Sequence, residues 1–402
     1  MGTADIFAQK FDVTFDYPVC FTRGAFRTDN PLVAETIDRL GEGRRHRVLV
    51  YVDEGVAAAH PRLTSQVKEY FHALPARLEL VGLPIVLPGG EPVKSRLDLV
   101  REILWTVGNE HLCRHSFIMA IGGGSFLDMV GFAASLAHRG LRLVRLPTTT
   151  LAQDDAGIGI KTGMNEHGMK NFLGTFSPPF AVINDVEFLP TLDDTHWLGG
   201  VAEAFKVAII KDRDFFNFLC SAARDLRARN LAAMEKVVRR CAALHLEHIR
   251  TSGDPFEMGA ARPLDFGHWA AHRLEALSTY RIAHGQAAAI GIALDSFCAM
   301  RRSLLPEEEF ERIVTGLLAC GLPIWCEELQ WRRANGTLEV LEGLNQFREH
   351  LGGTLTLSYP NGMGRICDVH HVNPDDIEEA VRVLHDRARS GTTGGQRSSE
   401  RA

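Results

Sequence analysis

A glutamate, a lysine and three histidines in the second half of the chain have the types and spacing of a metal-dependent site. Residues 197–212 read WLGGVAEAFKVAIIKD, and Glu203 and Lys206, three apart, share a helical face that is otherwise apolar. A carboxylate on such a face needs a partner. Further on, LDFGHWAAHRLE places His268 and His272 four apart on one helical face, and His284 follows in RIAHGQAAAIGIAL, just ahead of another apolar helix. One glutamate and two or three histidines in an Ala-rich helical setting suit a catalytic Zn²⁺ site, with three protein ligands and one open position. A set of hydrogen-bonded core histidines is the bland alternative. The HExxH protease motif is excluded, because it needs a glutamate where Trp269 stands.

A second group lies between residues 117 and 171. The apolar run Phe117 to Ile121 is too short for a helix and reads as a buried strand. Gly122, Gly123 and Gly124 follow, and Ser125 and Asp128 lead into a helical pattern. Strand, glycine turn and helix is the layout that brings backbone N–H groups and a helix N-terminus to a phosphate, although three glycines alone equally make a tight turn. A second strand, Leu141 to Leu146, ends in Pro147-Thr148-Thr149-Thr150, and a polar stretch then carries Asp155, Lys161, Asn165, Lys170 and Asn171. One chemistry uses both groups: a divalent metal polarises a substrate hydroxyl, a nicotinamide takes its hydride, and lysines and asparagines hold an anionic substrate.

The elements that must position these groups fall into two halves. His46 to Val52 is a buried strand ending at Asp53, an acidic residue that either contacts a ribose or caps the next turn. Helices are expected over 31–42, 63–74 and 94–108, strands over 78–87 and 180–184, and an edge strand or hairpin over 10–22. This alternation predicts a largely parallel sheet with helices on both faces for residues 1–190. From Leu192 to about 319 the pattern is helical almost throughout, so residues 191–389 read as a helical domain, with a hairpin near Thr354 to Ser358. Residues 390–402 lack apolar anchors and read as a disordered tail.

Composition narrows the class. The chain has 402 residues, 45% of them hydrophobic and 23% charged, ample for one large or two ordinary domains. A net charge of −6 gives no basic footprint for nucleic acid. No apolar run reaches membrane-spanning length. Eight cysteines without a CxxC pair read as reduced thiols of a cytoplasmic protein.

Taken together, the motifs resemble those of 3-dehydroquinate synthase and its relatives, the sugar-phosphate cyclases. The segments are GGGSFLD (122–128), GFAASLAHRG (131–140), LPTT (146–149), DAGIGIKTGMN (155–165), GMKNFLG (168–174), GGVAEAFKVAII (199–210), LDFGHWAAH (264–272) and AHGQAAAIG (283–291). They run in the family's order over most of the chain. The resemblance implies a Rossmann-like NAD-binding α/β domain, a C-terminal helical metal-binding domain and a homodimer. By that similarity Glu203, His268 and His284 bind Zn²⁺ or Co²⁺. Gly122, Gly123, Gly124, Asp128, Thr148, Thr149 and Lys170 serve NAD, with Asp53, Glu91 and Lys94 on the adenosine side. Asp155, Lys161, Asn171 and Lys206 hold a phosphorylated sugar, with His272 and Asp265 near it. Arg139 reaches a phosphate, across a dimer interface.

The implied reaction is a redox-neutral carbocyclisation. An alcohol is transiently oxidised by bound NAD, phosphate leaves by β-elimination, the hydride returns, and an intramolecular aldol step closes the ring. Departures from the quinate-type pattern bear on the substrate. Its carboxylate-holding arginine and lysine fall at Ala261, with Arg262 one residue later, and near Glu247. Asp265 replaces an asparagine, and Arg348 and His350 stand where a phosphate-binding lysine is expected. These changes favour a neutral-headed sugar such as sedoheptulose 7-phosphate over an acidic heptulosonate phosphate, in a branch serving secondary metabolism. A metal-dependent alcohol dehydrogenase of the glycerol dehydrogenase kind and an NAD-binding pseudoenzyme are the rival readings.

Overall fold

Short apolar runs build the spine of the first half, in a computed structural model that describes residues 6–396 apart from 168, 258, 260, 261, 351 and 352. Strand β1 (Val19–Thr22), helix α1 (Leu32–Ile37) and β2 (His46–Asp53) are followed by α2 (Glu54–Ala59) and α3 (Leu63–Ala73). Then come β3 (Leu78–Leu80), β4 (Ile85–Leu87), α4 (Leu97–Asn109), β5 (Phe117–Gly122), α5 (Gly124–Leu136) and β6 (Arg142–Pro147). The hairpin β7 (Lys161–Glu166) and β8 (Met169–Phe176) precedes β9 (Ala181–Asp185).

The sheet runs β1-β9-β6-β5-β2-β3, with β4 also on β2, and every pairing in it is parallel. Alternate residues serve opposite faces. Leu49, Tyr51, Ile118 and Ala120 pack under α4 and α5, whereas Val48, Val50, Val52, Phe117, Met119 and Ile121 pack with α1 and α3. Both faces being covered explains why β2 and β5 read as continuous apolar runs. The chain passes from β2 to β3 on one side and to β5 on the other. The crevice beyond the carboxyl ends of β2 and β5 is therefore the switch point where α/β sheets bind ligands.

The second half is helical: α6 (Asp194–Lys211), α7 (Arg213–Arg227), α8 (Leu231–Thr251), α9 (His268–Leu277), α10 (His284–Arg301), α11 (Glu307–Cys320), α12 (Glu342–His350) and α13 (Pro374–Gln396). One antiparallel pair, β10 (Leu357–Pro360) with β11 (Ile366–Val369), interrupts it. Helices α6 and α10 are buried almost all round in one core. The two cross at bare backbone: a Cβ on Gly285 would stand 2.4 Å from Gly199 Cα. Gly267, at φ 78°, turns the chain into α9 against Gly291, where a Cβ would meet Gly267 O at 2.0 Å.

Several elements differ from expectation for physical reasons. The strand expected over 78–87 is two short strands, because Gly82 turns the chain at φ 67°. The polar stretch after Thr150 contains a hairpin that alternation could not announce, since its exposed positions include Met169, Phe172 and Phe176. The hairpin expected at 354–358 begins three residues later. Helix α13 continues to Gln396, so the expected tail overlaps its end, and residues 397–402 lie outside the described ones. Among the described residues no helix is long and apolar enough to cross a membrane, and all eight cysteines are free thiols.

Candidate active site

Three helices bring one ligand atom each to a common point. Glu203 lies in α6, His268 opens α9 and His284 opens α10, and their ligand atoms are all within 4.8 Å of one another. His268 Nε2 stands 3.6 Å and His284 Nε2 3.5 Å from Glu203 Oε1. That oxygen is buried with no hydrogen-bond partner. The spacing is too long for hydrogen bonds, but ligand atoms ~2.0–2.2 Å from a tetrahedral ion are themselves about 3.3–3.6 Å apart. Each ring is oriented from behind. His268 Nδ1 donates to Phe266 O at 3.1 Å, and His284 Nδ1 donates to Glu275 Oε2 at 3.1 Å, leaving both Nε2 atoms facing the carboxylate. Loss of solvent opposes charge on His284, yet Glu275 and Glu203 outweigh it and raise the ring to about 10. The local field thus favours a cation here, and the donor set fits zinc or cobalt. His272, exposed, has its ring 5.9 Å from His284 and 5.4 Å from His268.

Two residues that the sequence did not single out support this trio. Glu275, on α9, is the anchor of His284. Asp295, buried in α10, accepts from Trp269 Nε1 at 2.8 Å and from Gly267 N at 2.9 Å, and so clamps the turn carrying His268. Glu275 follows His268 by seven residues, two helical turns, so helical spacing alone would have put it on the histidine face.

The cofactor candidates line the switch-point crevice. Asp53 caps α2 by accepting from Gly55 N at 2.8 Å, the capping role that its position allowed, and it faces Gly89, where a Cβ would lie 2.2 Å from its oxygens. None of Gly122, Gly123 and Gly124 has positive φ. Their small size is used instead: a Cβ would meet the Phe126 ring at Gly122, Thr149 at Gly123 and Ala156 at Gly124. Thr148 Oγ1 is buried beside them and unpartnered, and Thr149 Oγ1 accepts from Ala152 N at 3.1 Å. These features fit a dinucleotide whose phosphates approach the start of α5. Lys94 is buried and donates to Asp128 Oδ2 at 2.6 Å and to Asn171 Oδ1. It therefore joins an expected cofactor residue to an expected substrate residue. Glu91 accepts from Ser125 Oγ and, at 3.3 Å, from Asn165 Nδ2, with Lys170 Nζ 3.6 Å away.

The substrate candidates meet the metal trio at Lys206. Its ammonium pairs with Glu203 and lies 3.9 Å from Asp155 Oδ2. Burial opposes that charge, but Glu203 and Asp155 raise Lys206 above its ordinary value. A π-helical turn, Ala152–Ala156, sets the two aspartates apart. Asp155 pairs with His245 Nδ1 at 2.6 Å and is held ionised against desolvation by Lys206 and His245. Asp154 is fully buried, has no hydrogen-bond partner, and is pushed well above the ordinary carboxylate range by burial and by the charge of Asp155. Its oxygens press on Gly200, where a Cβ would stand 2.6 Å from Oδ2.

Lys161 is half exposed and pairs with Glu257, a residue the sequence reading missed. Asp265 is raised to about 6 by burial and by the charge of Glu257, with Arg262, Lys206 and Lys161 pulling the other way. Glu247 is exposed on α8, and Ala261 lies outside the described residues. Arg139 is exposed beyond the far end of α5, about 20 Å along that helix from the glycine turn. Within one chain it does not join the other groups. Arg348 is exposed on α12, and the His350 side chain is not among those described.

Comparison with known proteins agrees with this architecture. Residues 84–198 match the model of the 3-dehydroquinate synthase N-terminal domain, and residues 200–341 match that of the C-terminal domain. A 2-epi-valiolone synthase of Actinosynnema mirum is 33% identical over 342 residues, 85% of this chain and 86% of that protein. A 3-dehydroquinate synthase of Alkaliphilus metalliredigens is 31% identical over 286 residues, 71% of this chain and 78% of that protein. The solved 2-epi-5-epi-valiolone synthase of Streptomyces hygroscopicus subsp. jinggangensis, with NAD⁺ and Zn²⁺ bound, superposes with a TM-score of 0.83 at 29% identity, covering 95% of this chain and all of that one. With both halves matched in order, the chain belongs to the 3-dehydroquinate synthase-like sugar-phosphate cyclases.

Proposed function

We propose that this protein is an NAD- and metal-dependent cyclase that converts a neutral-headed heptulose phosphate, of the sedoheptulose 7-phosphate kind, into a carbocycle with release of inorganic phosphate. One observation carries the reading: Lys206 ties Asp155, with His245, to the same Glu203 that both metal-site histidines face. Groups suited to a polyol phosphate and groups suited to a cation thus form one cluster.

Glu203, His268 and His284 would hold Zn²⁺ or Co²⁺, and the crevice at Gly122–Gly124 would hold NAD. When bound, the cation would lower the pKa of a substrate hydroxyl and NAD would supply a reversible hydride acceptor, so that transient oxidation of that alcohol to a ketone acidifies the neighbouring C–H and lets phosphate leave by β-elimination. The protein's own groups do the rest. Asp155, ionised, accepts a hydrogen bond from a substrate hydroxyl. Lys206, held charged, donates to a neighbouring oxygen and balances negative charge as a proton leaves the carbon skeleton. Asn171, and Lys161 once it leaves Glu257, offer donors to the phosphate. His272 stands within reach as a proton carrier. Atoms balance: sugar phosphate becomes cyclic ketone plus phosphate, and the nicotinamide ends as it began.

The acidic surroundings of the head support a neutral substrate. Asp265 is already pushed up by burial and by the charge of Glu257, so a carboxylate entering beside them meets further repulsion. Arg262, with Lys161 and Lys206, supplies the nearby positive charge that the acid reading would use. For Arg139 to serve a phosphate, as the family pattern has it, a second copy must supply it, so a homodimer is part of this reading. The test incubates the protein with NAD, Zn²⁺ and either sedoheptulose 7-phosphate or the acidic heptulosonate phosphate. Phosphate release and absorbance of reduced nicotinamide are followed together. Release only from the neutral sugar, without accumulating NADH, is expected. Release only from the acid makes the protein a 3-dehydroquinate synthase, and NADH without phosphate makes it a dehydrogenase.

A further inference from the structure

A continuous line of side chains joins the cofactor crevice to a metal ligand. Ser125, in the first turn of α5, donates to Glu91. Lys170, on β8, lies 3.6 Å from Glu91 Oε1 and donates to Glu275 Oε1 at 2.7 Å. The other oxygen, Oε2, accepts a hydrogen bond from His284 Nδ1 at 3.1 Å. Glu275 is 3% exposed, so its charge depends on these two partners. Lys170 belongs to the α/β half and Glu275 to the helical half, and their ion pair crosses between the two. Asn165 closes the arrangement from the hairpin, donating to Glu91 and accepting from Asn171 N at 3.0 Å.

We propose that Glu275 is a positioning residue for His284, and that the Lys170–Glu275 pair couples occupancy of the cofactor crevice to metal binding. The physical argument is direct. An imidazole offers its lone pair to a metal along one line only, and a carboxylate behind Nδ1 fixes both ring orientation and tautomer. Glu275 can do this while buried only if its second oxygen is neutralised, and Lys170 supplies that charge. Lys170 in turn is placed by Glu91, which borders the crevice where NAD would sit. A ligand that orders Glu91 and Lys170 therefore orders His284, and by linkage a bound metal favours that ligand equally.

This inference rests on reading the site as one for metal and nicotinamide, and the experiment separates the two claims. Full-length protein is stripped of metal and titrated with Zn²⁺ against a chromogenic chelator. NAD affinity is then measured by calorimetry with and without saturating Zn²⁺. Glu275→Gln keeps the volume and removes the charge, and zinc affinity should fall by about 10- to 100-fold. In the wild type, zinc should tighten NAD binding at least ~5-fold, and in Lys170→Met that ratio should shrink to within about 2-fold. Lys170→Met should also lower zinc affinity, although Lys170 touches none of the three ligands. It serves as the second variant should Glu275→Gln fail to fold. A merely structural ion pair would lower the melting temperature in both variants but leave the NAD ratio unchanged, and that outcome overturns the coupling. Zinc affinity in Glu275→Gln within 2-fold of wild type overturns the positioning role. A wild type that binds no zinc overturns the metal reading along with both.

Discussion

In the helical half, Glu203, His268 and His284 come from three long helices whose backbones touch through Gly199, Gly285, Gly267 and Gly291. In the α/β half, Lys94, Asp128, Asn165, Lys170 and Asn171 come from the start of α5, a tight turn and a hairpin, and they mostly satisfy one another. The first set has a buried acceptor, Glu203 Oε1, with no internal partner. The second set is largely self-paired. One is a preorganised cluster whose geometry could hold a cation. The other is an adaptable polar network that must exchange partners when a ligand arrives. Substitutions in the first should act nearly all-or-none, and those in the second should be graded.

The sharpest way to break this contrast is His268→Ala. It should remove zinc and lower turnover by about a thousandfold or more, a loss of several kcal/mol of transition-state stabilisation, while circular dichroism stays native. Normal turnover in that variant would place the chemistry elsewhere. Lys206→Met comes next. It leaves Glu203 and Asp155 facing each other with their shared cation gone, which should cost roughly 3–5 kcal/mol of stability, read by denaturant unfolding of the metal-free protein. A midpoint equal to wild type would mean that the cluster is less dependent on Lys206 than its geometry indicates.

In the adaptable half, Lys161→Ala should raise KM for the phosphate about 10-fold, with stability changed by no more than ~1 kcal/mol because its pair with Glu257 is exposed. Unchanged kinetics would remove Lys161 from the substrate site. Asp128→Ala should weaken NAD by roughly 10-fold through loss of a charge-assisted contact to Lys94, and zinc by less. Equal losses of both would make Asp128 structural.

A pH profile tests the clamp behind His268. Burial raises the Asp295 carboxyl from 3.8 to about 7. Between those values the folded state keeps a proton that the unfolded state has released. Its contribution to stability therefore declines as pH rises through that window and is level above it. Asp295→Asn should remove this slope, seen as a melting temperature that loses less than wild type between pH 5 and pH 8. Parallel profiles would show that Asp295 is ionised in the folded protein.

The glycine turn, the strands around it and the helical run of the second half were legible because local periodicity and short-range spacing encode them. The convergence of Glu203, His268 and His284 was legible for a related reason: Glu, His and His in apolar helices are costly unless used. Glu275 was signalled only by its spacing of two helical turns from His268, and Asp295 was not legible, since one carboxylate among many looks like surface until packing buries it. Glu257 was hidden in a loop with no pattern, and the β7–β8 hairpin was hidden by its mixture of polar and exposed apolar residues.

By itself the sequence determined which residues could do chemistry, and the order of strands and helices that would carry them, because residue type and periodicity act over a turn or two of chain. Only the tertiary structure decided which of those residues meet. It set Lys206 between Glu203 and Asp155, put Glu275 behind His284, and left Arg139 far from both. Those outcomes depend on the crossings of α6, α9 and α10 and on the hairpin's approach to them. Contacts between positions as distant in sequence as Lys170 and Glu275 form only when burial and charge pairing are satisfied for the whole fold at once.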